Sequence, residues 1–298
     1  MNPQQKLPVR RLIIDILVGL TGIAAFGCSH ALSRAMPEVK GPLAVRVSPE
    51  PALRFGEMPV FVYQVPDTSV YVAGHEGMAQ IGALFGPIGV VTAIATARAT
   101  GESKVRDHEA QLRLDLRTIT EQILVEELSR RGQSDRFGPA SGGGNVLEIR
   151  PYLVVNFVGN EHVRLWVVLK TAFKDAQGDE RWKTKYAAGV GETRTLGGAS
   201  GWASDDGAPL RKAVDRNLRL AMDALLTDAS GALARGSGRL ITVNAQWVWA
   251  KGRSQRVVEV LKETADTLVV IPQVTDDMFF AGVSILDKKS IAVAPEGQ

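Results

Sequence analysis

Apolar residues recur at every second position in the middle of the chain. Most odd-numbered positions in the stretches 147–157 and 163–173 are apolar, and the turn residues 159–161 separate the two stretches. An apolar side chain at every second position is the pattern of a strand with one buried face. A third stretch of this kind, 182–190, follows a polar turn over 175–179. Connections this short predict an antiparallel meander of three strands.

Helical spacing of apolar residues precedes and follows this meander. Over 107–131 the apolar residues recur every three or four positions, which predicts one long helix. A second stripe runs over 210–225 and begins after residues 205–209, which include two aspartates and a proline that suit a helix start. Residues 59–230 are therefore expected to form an α+β domain, in which an antiparallel sheet carries two helices packed on one face.

The C-terminal part of the chain returns to short apolar stretches. Glycines cluster in residues 231–238, which are expected to be a flexible linker. Five short strands are predicted within residues 239–298, and this number and spacing favours a small all-β module that resembles SH3-like barrels. A helix over 257–267 is the competing interpretation, because short apolar stretches fit either structure.

One apolar segment, residues 78–97, carries no charge over twenty residues. Gly82, Gly86 and Gly89 belong to a stripe of small residues, a pattern that lets two helices approach closely. Pro87 would kink or split a helix at this position. We expect a kinked helical hairpin that packs on the domain or on a second copy, so that the glycines mediate homo-oligomerisation. The alternative is that the segment inserts into a membrane and forms an oligomeric pore or seal.

The N-terminus begins with a positively charged head and continues with an apolar run. Three basic residues lie within the first eleven positions, and residues 12–27 are mostly apolar. This is the arrangement of a secretory signal peptide. A helix that spans a bilayer needs about 20 apolar residues, so a permanent membrane anchor is the less natural alternative. Cys28 is the single cysteine of the chain and follows Gly27 directly.

These residues resemble the signal of bacterial lipoproteins, with Ala25 and Gly27 in the lipobox before Cys28. The resemblance implies that residues 1–27 are removed and that Cys28 carries acyl chains, which attach a protein stably to a membrane. Ser29 replaces the aspartate that retains some lipoproteins in the inner membrane. The resemblance therefore implies the periplasmic face of the outer membrane, with the inner membrane as the alternative. Residues 28–58 are rich in proline and are expected to be a lipidated tether.

Catalytic and metal-binding motifs are missing from the sequence. The four histidines have no HExxH or comparable spacing, and no serine lies in a GxSxG motif. Removal of residues 1–27 lowers the formal net charge from +3 to about +1, so the sequence pI of 9.0 does not indicate nucleic-acid binding. The sequence predicts a protein that is not an enzyme and that has no cofactor, no metal and no nucleic-acid partner.

Basic residues on the second and third strands form a candidate binding surface, named here the basic face. The simpler interpretation is that these residues lie on a solvent-exposed side of the sheet. The more specific interpretation is that they bind lipid head groups or glycan phosphates. The domain layout is also similar to that of periplasmic lipoproteins in envelope assembly and secretion. We expect a non-enzymatic accessory or binding subunit in envelope assembly, secretion or transport, whose partner is an envelope protein or an anionic polymer. The basic face consists of Arg164, Lys170, Lys174, Arg181, Lys183 and Lys185.

Overall fold

A computed structural model describes most of the chain after residue 32. The described residues are 33–39, 41, 43–54, 57–59, 61–75, 86–138, 144–233, 235–236, 238–273 and 281–293. They form an α+β fold that consists of a large mixed sheet, three longer helices and short helical turns.

The sheet contains thirteen strands. Their bounds are β1 Leu43–Val47, β2 Tyr63–Gln64, β3 Val70–Ala73, β4 Phe137–Gly138, β5 Val146–Phe157, β6 His162–Lys174, β7 Glu180–Ala188, β8 Arg194–Thr195, β9 Leu240–Gln246, β10 Arg253–Glu263, β11 Thr267–Pro272, β12 Val283–Asp287 and β13 Ala292–Val293. The helices are α1 Gly86–Val105, α2 Glu109–Leu112, α3 Leu116–Arg131 and α4 Ser204–Ala229. Short 3-10 turns lie at Arg106–His108 and Lys288–Ser290.

The predicted meander is confirmed as β5, β6 and β7, which pair in antiparallel fashion. A bulge follows Phe173, so that Trp182 of β7 lies opposite Phe173 and even-numbered residues of β7 share a face with odd-numbered residues of β6. The expectation of a purely antiparallel sheet is wrong, because β1 and β3 both pair parallel with β5. These two strands lie one after the other along the same edge of β5.

The gap between β1 and β3 lies at Pro151 of β5. Ser48 donates its backbone N–H to the carbonyl of Ile149, and Leu153 donates its N–H to the carbonyl of Ser69. Odd-numbered residues of β5 thus point their backbone groups toward β1 and β3. Pro151 is the odd residue between these two bonds, and it has no N–H that would be left unpaired in the gap. A proline in a central strand is tolerated here for that reason.

The C-terminal strands continue the central sheet and do not close into a barrel of their own. The strand order is β13-β9-β10-β11-β12-β7-β6-β5-β1-β4, and β12 pairs parallel with β7. The competing helix over 257–267 is wrong, because β10 covers most of that range and β11 begins at Thr267. The stretch 231–238, predicted as a flexible linker, includes Leu233, which is buried in the core, and Arg235, which contacts residues near the N-terminus.

Two apolar cores lie on opposite faces of the meander. The first joins the odd-numbered residues of β5 and β6 to α3 and α4, through residues such as Leu153, Leu165, Ile123, Leu218 and Leu225. The second joins the even-numbered residues to β9, β10 and β11. Its members include Tyr152, Val154, Trp166, Val168, Val243, Trp247, Val258 and Val270. The sheet therefore folds over itself, and much of its even face is buried under the C-terminal strands.

The helices differ from the sequence prediction at their starts. The single helix predicted over 107–131 is interrupted before Leu116, because Asp115 leaves the helical conformation and its side chain accepts a hydrogen bond from the Thr118 N–H. Gly132 ends α3 in the left-handed conformation. Within the described residues Pro87 is the second residue of α1, and the helix continues from it to Val105. Residues 78–85 of the predicted hairpin lie outside the described residues.

Helix α4 begins with an unusual turn. Asp205, Asp206 and Gly207 all have positive φ angles, of 49°, 53° and 79°, and the regular helix follows with Pro209 in its first turn. The predicted apolar stripe of this helix is buried, including Leu210, and the helix ends at Ala229 before Gly231. None of the described helices is long and apolar enough to cross a bilayer.

Candidate functional site

The residues predicted for lipidation and self-association are only partly within the described structure. Cys28 and Gly82 lie outside the described residues. Gly86 and Gly89 are in the first turns of α1. Lipidation and oligomerisation both stay predictions.

The structure separates Arg164 from the other residues of the basic face. Arg164 lies near the start of β6 and donates hydrogen bonds to the carbonyl of Gly189 and to Ser290 Oγ, at 3.1 and 3.2 Å. Burial lowers its pKa. Lys170 lies opposite both Arg150 and Lys185 in the middle of the meander, so three cations share one row across the strands.

Carboxylates accompany most cations of the basic face. Lys170 forms an ion pair with Glu57 at 2.7 Å, and Lys174 forms one with Glu148 at 2.6 Å. These internal pairs offset much of the positive charge that an anionic partner would meet. In the remaining pairs, Lys183 contacts Glu180, and Arg181 contacts Asp175 and Asp179.

Glu148 is the most enclosed of these carboxylates, with a side chain that is 2% exposed. Burial alone would raise its pKa, but hydrogen bonds from Lys174, Ser48 and Arg150 outweigh burial and lower the pKa to about 2. Arg46 of β1 adds a longer contact at 3.8 Å. The ion pairs of Glu148 join β1, β5 and β6. These contacts therefore help to hold β1 on the sheet.

His75 has a structural role among the described residues. His75 is buried after β3, and its Nε2 lies 2.7 Å from the carbonyl oxygen of Ala97 in α1. Burial lowers its pKa, so the neutral form is favoured. The ring also fills the space beside Gly101, where a Cβ atom would lie 2.8 Å from it. Among the described residues no group of three His, Cys, Asp or Glu side chains could hold a metal ion.

Two neighbouring recesses beside β1 were missed by sequence reasoning, and together they are named here the edge cleft. Its first part, about 610 Å³, lies at the gap between β1 and β3 and is lined by Pro151, Ser69 and Arg113 among others. Its second part, about 680 Å³, runs between β1 and α3. Pro49 and Arg117 line both parts, so the two parts are adjacent.

The part of the edge cleft along α3 is mainly apolar. Val125 of α3 is 64% exposed, the largest exposure among the large apolar side chains of the described residues. On its outer side β1 pairs with β4 only at Leu43 and Ala44, so its remaining residues have no neighbouring strand there within the described chain. The lining residues include Val45, Val47, Leu124, Val125, Leu128 and Phe137, with Arg46, Arg117 and Glu121 as charged members.

A second missed feature is a set of contacts that holds the residues before β1, named here the N-terminal clamp. Trp182 Nε1 donates to the carbonyl of Arg34 at 2.9 Å. Arg235 donates to the carbonyls of Ser33 and Arg34 at 2.6 and 2.7 Å. Met36 and Val39 pack against the first core. This part of the expected tether therefore lies on the domain and does not extend from it.

The N-terminal clamp rests on a buried charged pair. Arg235 forms an ion pair with Asp228 at the end of α4, and Tyr186 of β7 donates its hydroxyl to Asp228 Oδ2 at 2.6 Å. The side chains of Arg235 and Asp228 are 9% and 2% exposed. Burial, and then the charge of Asp228, raise the pKa of Tyr186, so the phenol stays protonated and remains a donor. Local sequence patterns gave no sign of these contacts, since the partners are far apart in the chain.

No protein-family model, no curated protein and no solved structure matches this chain.

Proposed function

We propose that this protein is a non-enzymatic lipoprotein of the outer membrane that faces the periplasm. It acts as an accessory subunit in envelope assembly, secretion or transport, and it binds an extended segment of an envelope protein in the edge cleft. The observation that carries this proposal is that no strand among the described residues pairs with the outer edge of β1 beyond Ala44, and that an apolar groove lies beside this edge.

An unpaired strand edge offers backbone groups to an incoming strand. The two residues of β4 already pair with the first part of β1, and an extended segment that continues this pairing would lie along Val45 to Val47. Alternate side chains of that segment would point toward α3, where Leu124, Val125 and Leu128 form the apolar wall. Backbone pairing would supply affinity, and the apolar wall would select the partner's side chains.

The basic face is a weaker candidate for the partner site than the edge cleft. Arg164 is half-buried and apart from the others, and Lys170 and Lys174 have carboxylate partners within the domain. An anionic polymer would therefore compete with contacts that already exist. For this reason we place partner binding at the edge cleft.

Crosslinking from the edge cleft tests the proposal. A photo-reactive amino acid in place of Val125 should give an adduct of defined mass in solubilised envelopes, and one in place of Arg46 should give the same adduct. The matched control is Lys212, an exposed residue of α4 outside the cleft. The adduct from position 46 should disappear in the Val125→Asp variant. Equal adducts from positions 46, 125 and 212, or no adduct from the cleft, would contradict the proposal.

The lipid anchor has its own test. The N-terminal peptide of protein purified from membranes should begin at Cys28 and carry the mass of acyl chains. The Cys28→Ser variant should be recovered without them and should no longer sediment with membranes. An unmodified Cys28, or a chain that still begins at Met1, would reject the lipoprotein assignment.

A further inference from the structure

The N-terminal clamp lies at one end of the sheet, here called the clamp end. Trp182 is near the start of β7 and opposite Phe173, close to the end of β6. At the same end, Arg235 follows α4 and holds Ser33 and Arg34 through two backbone carbonyls. The position of the chain before β1 is therefore set by three hydrogen bonds to one end of the domain.

The central cation of the clamp is buried and paired. The Arg235 guanidinium cannot leave Asp228 without a buried charge losing its partner, and Asp228 is further held by the Tyr186 hydroxyl. Met36 and Val39 extend the contact by packing against the first core. Residues 33–39 are thus part of the folded domain, although prolines and little periodicity suggest a spacer in the sequence.

Little chain is left between this clamp and the cysteine that the proposed function lipidates. Cys28 precedes Ser33 by five residues. Five residues of fully extended chain span at most about 18 Å. An acylated Cys28 would therefore keep the clamp end close to the lipid head groups.

The opposite end of the sheet, here called the far end, is distant from the clamp. Ten residues of β6 separate Val163 from Phe173, which corresponds to about 33 Å of strand. The second half of α1 lies at the far end, since Lys104 donates to the carbonyl of Asn160 in the turn between β5 and β6. His75 joins the same helix to the end of β3 through its contact with Ala97.

We infer that the N-terminal clamp orients the domain on the bilayer, with the clamp end against the lipid head groups and the far end directed away from them. This inference rests on the proposed lipid anchor at Cys28.

Fluorescence quenching at the two ends tests this orientation. Because Cys28 is acylated in the proposed form, an introduced cysteine is the only free thiol for a fluorophore. Gln177→Cys places it in the exposed turn at the clamp end, and Glu161→Cys places it in the exposed turn at the far end. The acylated protein is placed in vesicles of phosphatidylethanolamine and phosphatidylglycerol that contain a head-group spin label. Quenching at position 177 should exceed quenching at position 161.

Removing one bond of the clamp should weaken this difference. Trp182→Phe keeps an aromatic ring and loses the donor to Arg34, so the ratio of quenching at 177 to quenching at 161 should fall toward one. Trp202→Phe is the matched control, because Trp202 is also buried and donates Nε1 to a backbone carbonyl, that of Val163, outside the clamp. The ratio should not change in this control.

The outcomes separate the inference from the proposed function. Acylated protein that binds vesicles with equal quenching at both positions, or with more at 161, overturns the orientation and leaves the lipid anchor intact. A ratio that falls equally in both tryptophan variants also overturns it. Protein that has an unmodified Cys28 and does not bind vesicles overturns the lipoprotein assignment and the orientation together.

Discussion

Asp228→Ala should be among the most damaging single substitutions in this protein. The carboxylate of Asp228 is the ionic partner of Arg235 and the acceptor of the Tyr186 hydroxyl. Its loss leaves a guanidinium that is 9% exposed without a counter-charge. Breaking a buried ion pair from one side costs about 3–5 kcal/mol of unfolding free energy. The unpaired hydroxyl of Tyr186 adds to this cost, by about 1–3 kcal/mol at most.

The double variant Asp228→Ala/Arg235→Ala gives the sharper result. If the penalty comes mainly from the uncompensated buried cation, removing Arg235 as well should restore part of the stability that Asp228→Ala loses. The double variant should therefore be more stable than the single one, although it has lost more contacts. Urea unfolding followed by tryptophan fluorescence measures both free energies, and an unchanged slope would show that the denatured state is unaffected.

Asp215→Ala is the control for this comparison. Asp215 also lies on α4 and pairs with Arg219, but its side chain is 48% exposed. Exposed pairs of this spacing contribute about 0.3–0.5 kcal/mol. If Asp228→Ala cost no more than Asp215→Ala, or if the double variant were the least stable of all, the reasoning about buried charge in the N-terminal clamp would be refuted.

Three further predictions concern other parts of the structure. Because the folded pKa of Glu148 is about 2, below its ordinary 4.5, its stabilisation is complete above about pH 4.5 and is lost as the pH falls toward 2. Glu148→Gln should therefore flatten the dependence of melting temperature on pH in that range. Gly189→Ala should destabilise the fold by about 1–3 kcal/mol in urea, since the new Cβ would lie 2.5 Å from the Trp166 ring. Leucine at Gly82 and Gly86 should abolish chemically crosslinked oligomers while the meander stays folded.

Each of these three predictions has a result that would contradict it. Glu148→Gln with an unchanged acid transition would show that other carboxylates control it. Gly144→Ala is the control for Gly189→Ala, because no atom lies within 4 Å of its new Cβ, and equal effects would reject the steric argument. Unchanged oligomers in the leucine variant would place self-association elsewhere.

The sequence predicts the meander and α4 well because their patterns are local. Alternation locates β5, β6 and β7 to within a residue or two, since each strand needs only its own side chains to show which face is buried. The apolar stripe over 107–131 is also local, yet it led to the wrong prediction of one continuous helix. The stripe continues across Leu112 and Leu116 although Asp115 interrupts the helix between them, because periodicity does not register a capping side chain.

The second core left a signal in the sequence that a one-face interpretation overlooks. Residues 152–155 and 165–169 are apolar at odd and even positions alike. Unbroken apolar stretches are typical of strands buried on both faces. From this signal, one could have predicted that other strands cover the even face of the meander. One could also have predicted that Lys170 and Lys174 lie outside the covered part.

The N-terminal clamp and the edge cleft had no comparable signal. Arg34 and Trp182 are 148 positions apart, and Ser33 and Arg235 are 202 positions apart. Neither contact follows from a spacing or a motif. The edge cleft depends on how β1 and α3 lie beside each other, which is a property of the assembled fold. Only Val125, apolar at an outward position of α3, marks the cleft in the sequence.

The pairing of β12 with β7 determines the order in which this protein can finish folding. Val283 lies opposite Tyr186, and β9, β10 and β11 must be in place beside β12 before the even face of the meander is covered. A chain that ends near residue 230 would have its helices and meander, but Tyr152, Val154 and Trp166 would face water. Such a fragment should aggregate or bind a chaperone, as partly folded chains with exposed apolar surface do. Folding of this protein therefore waits for its last sixty residues, and proteolysis in the C-terminal strands should unfold more than the strands that are cut.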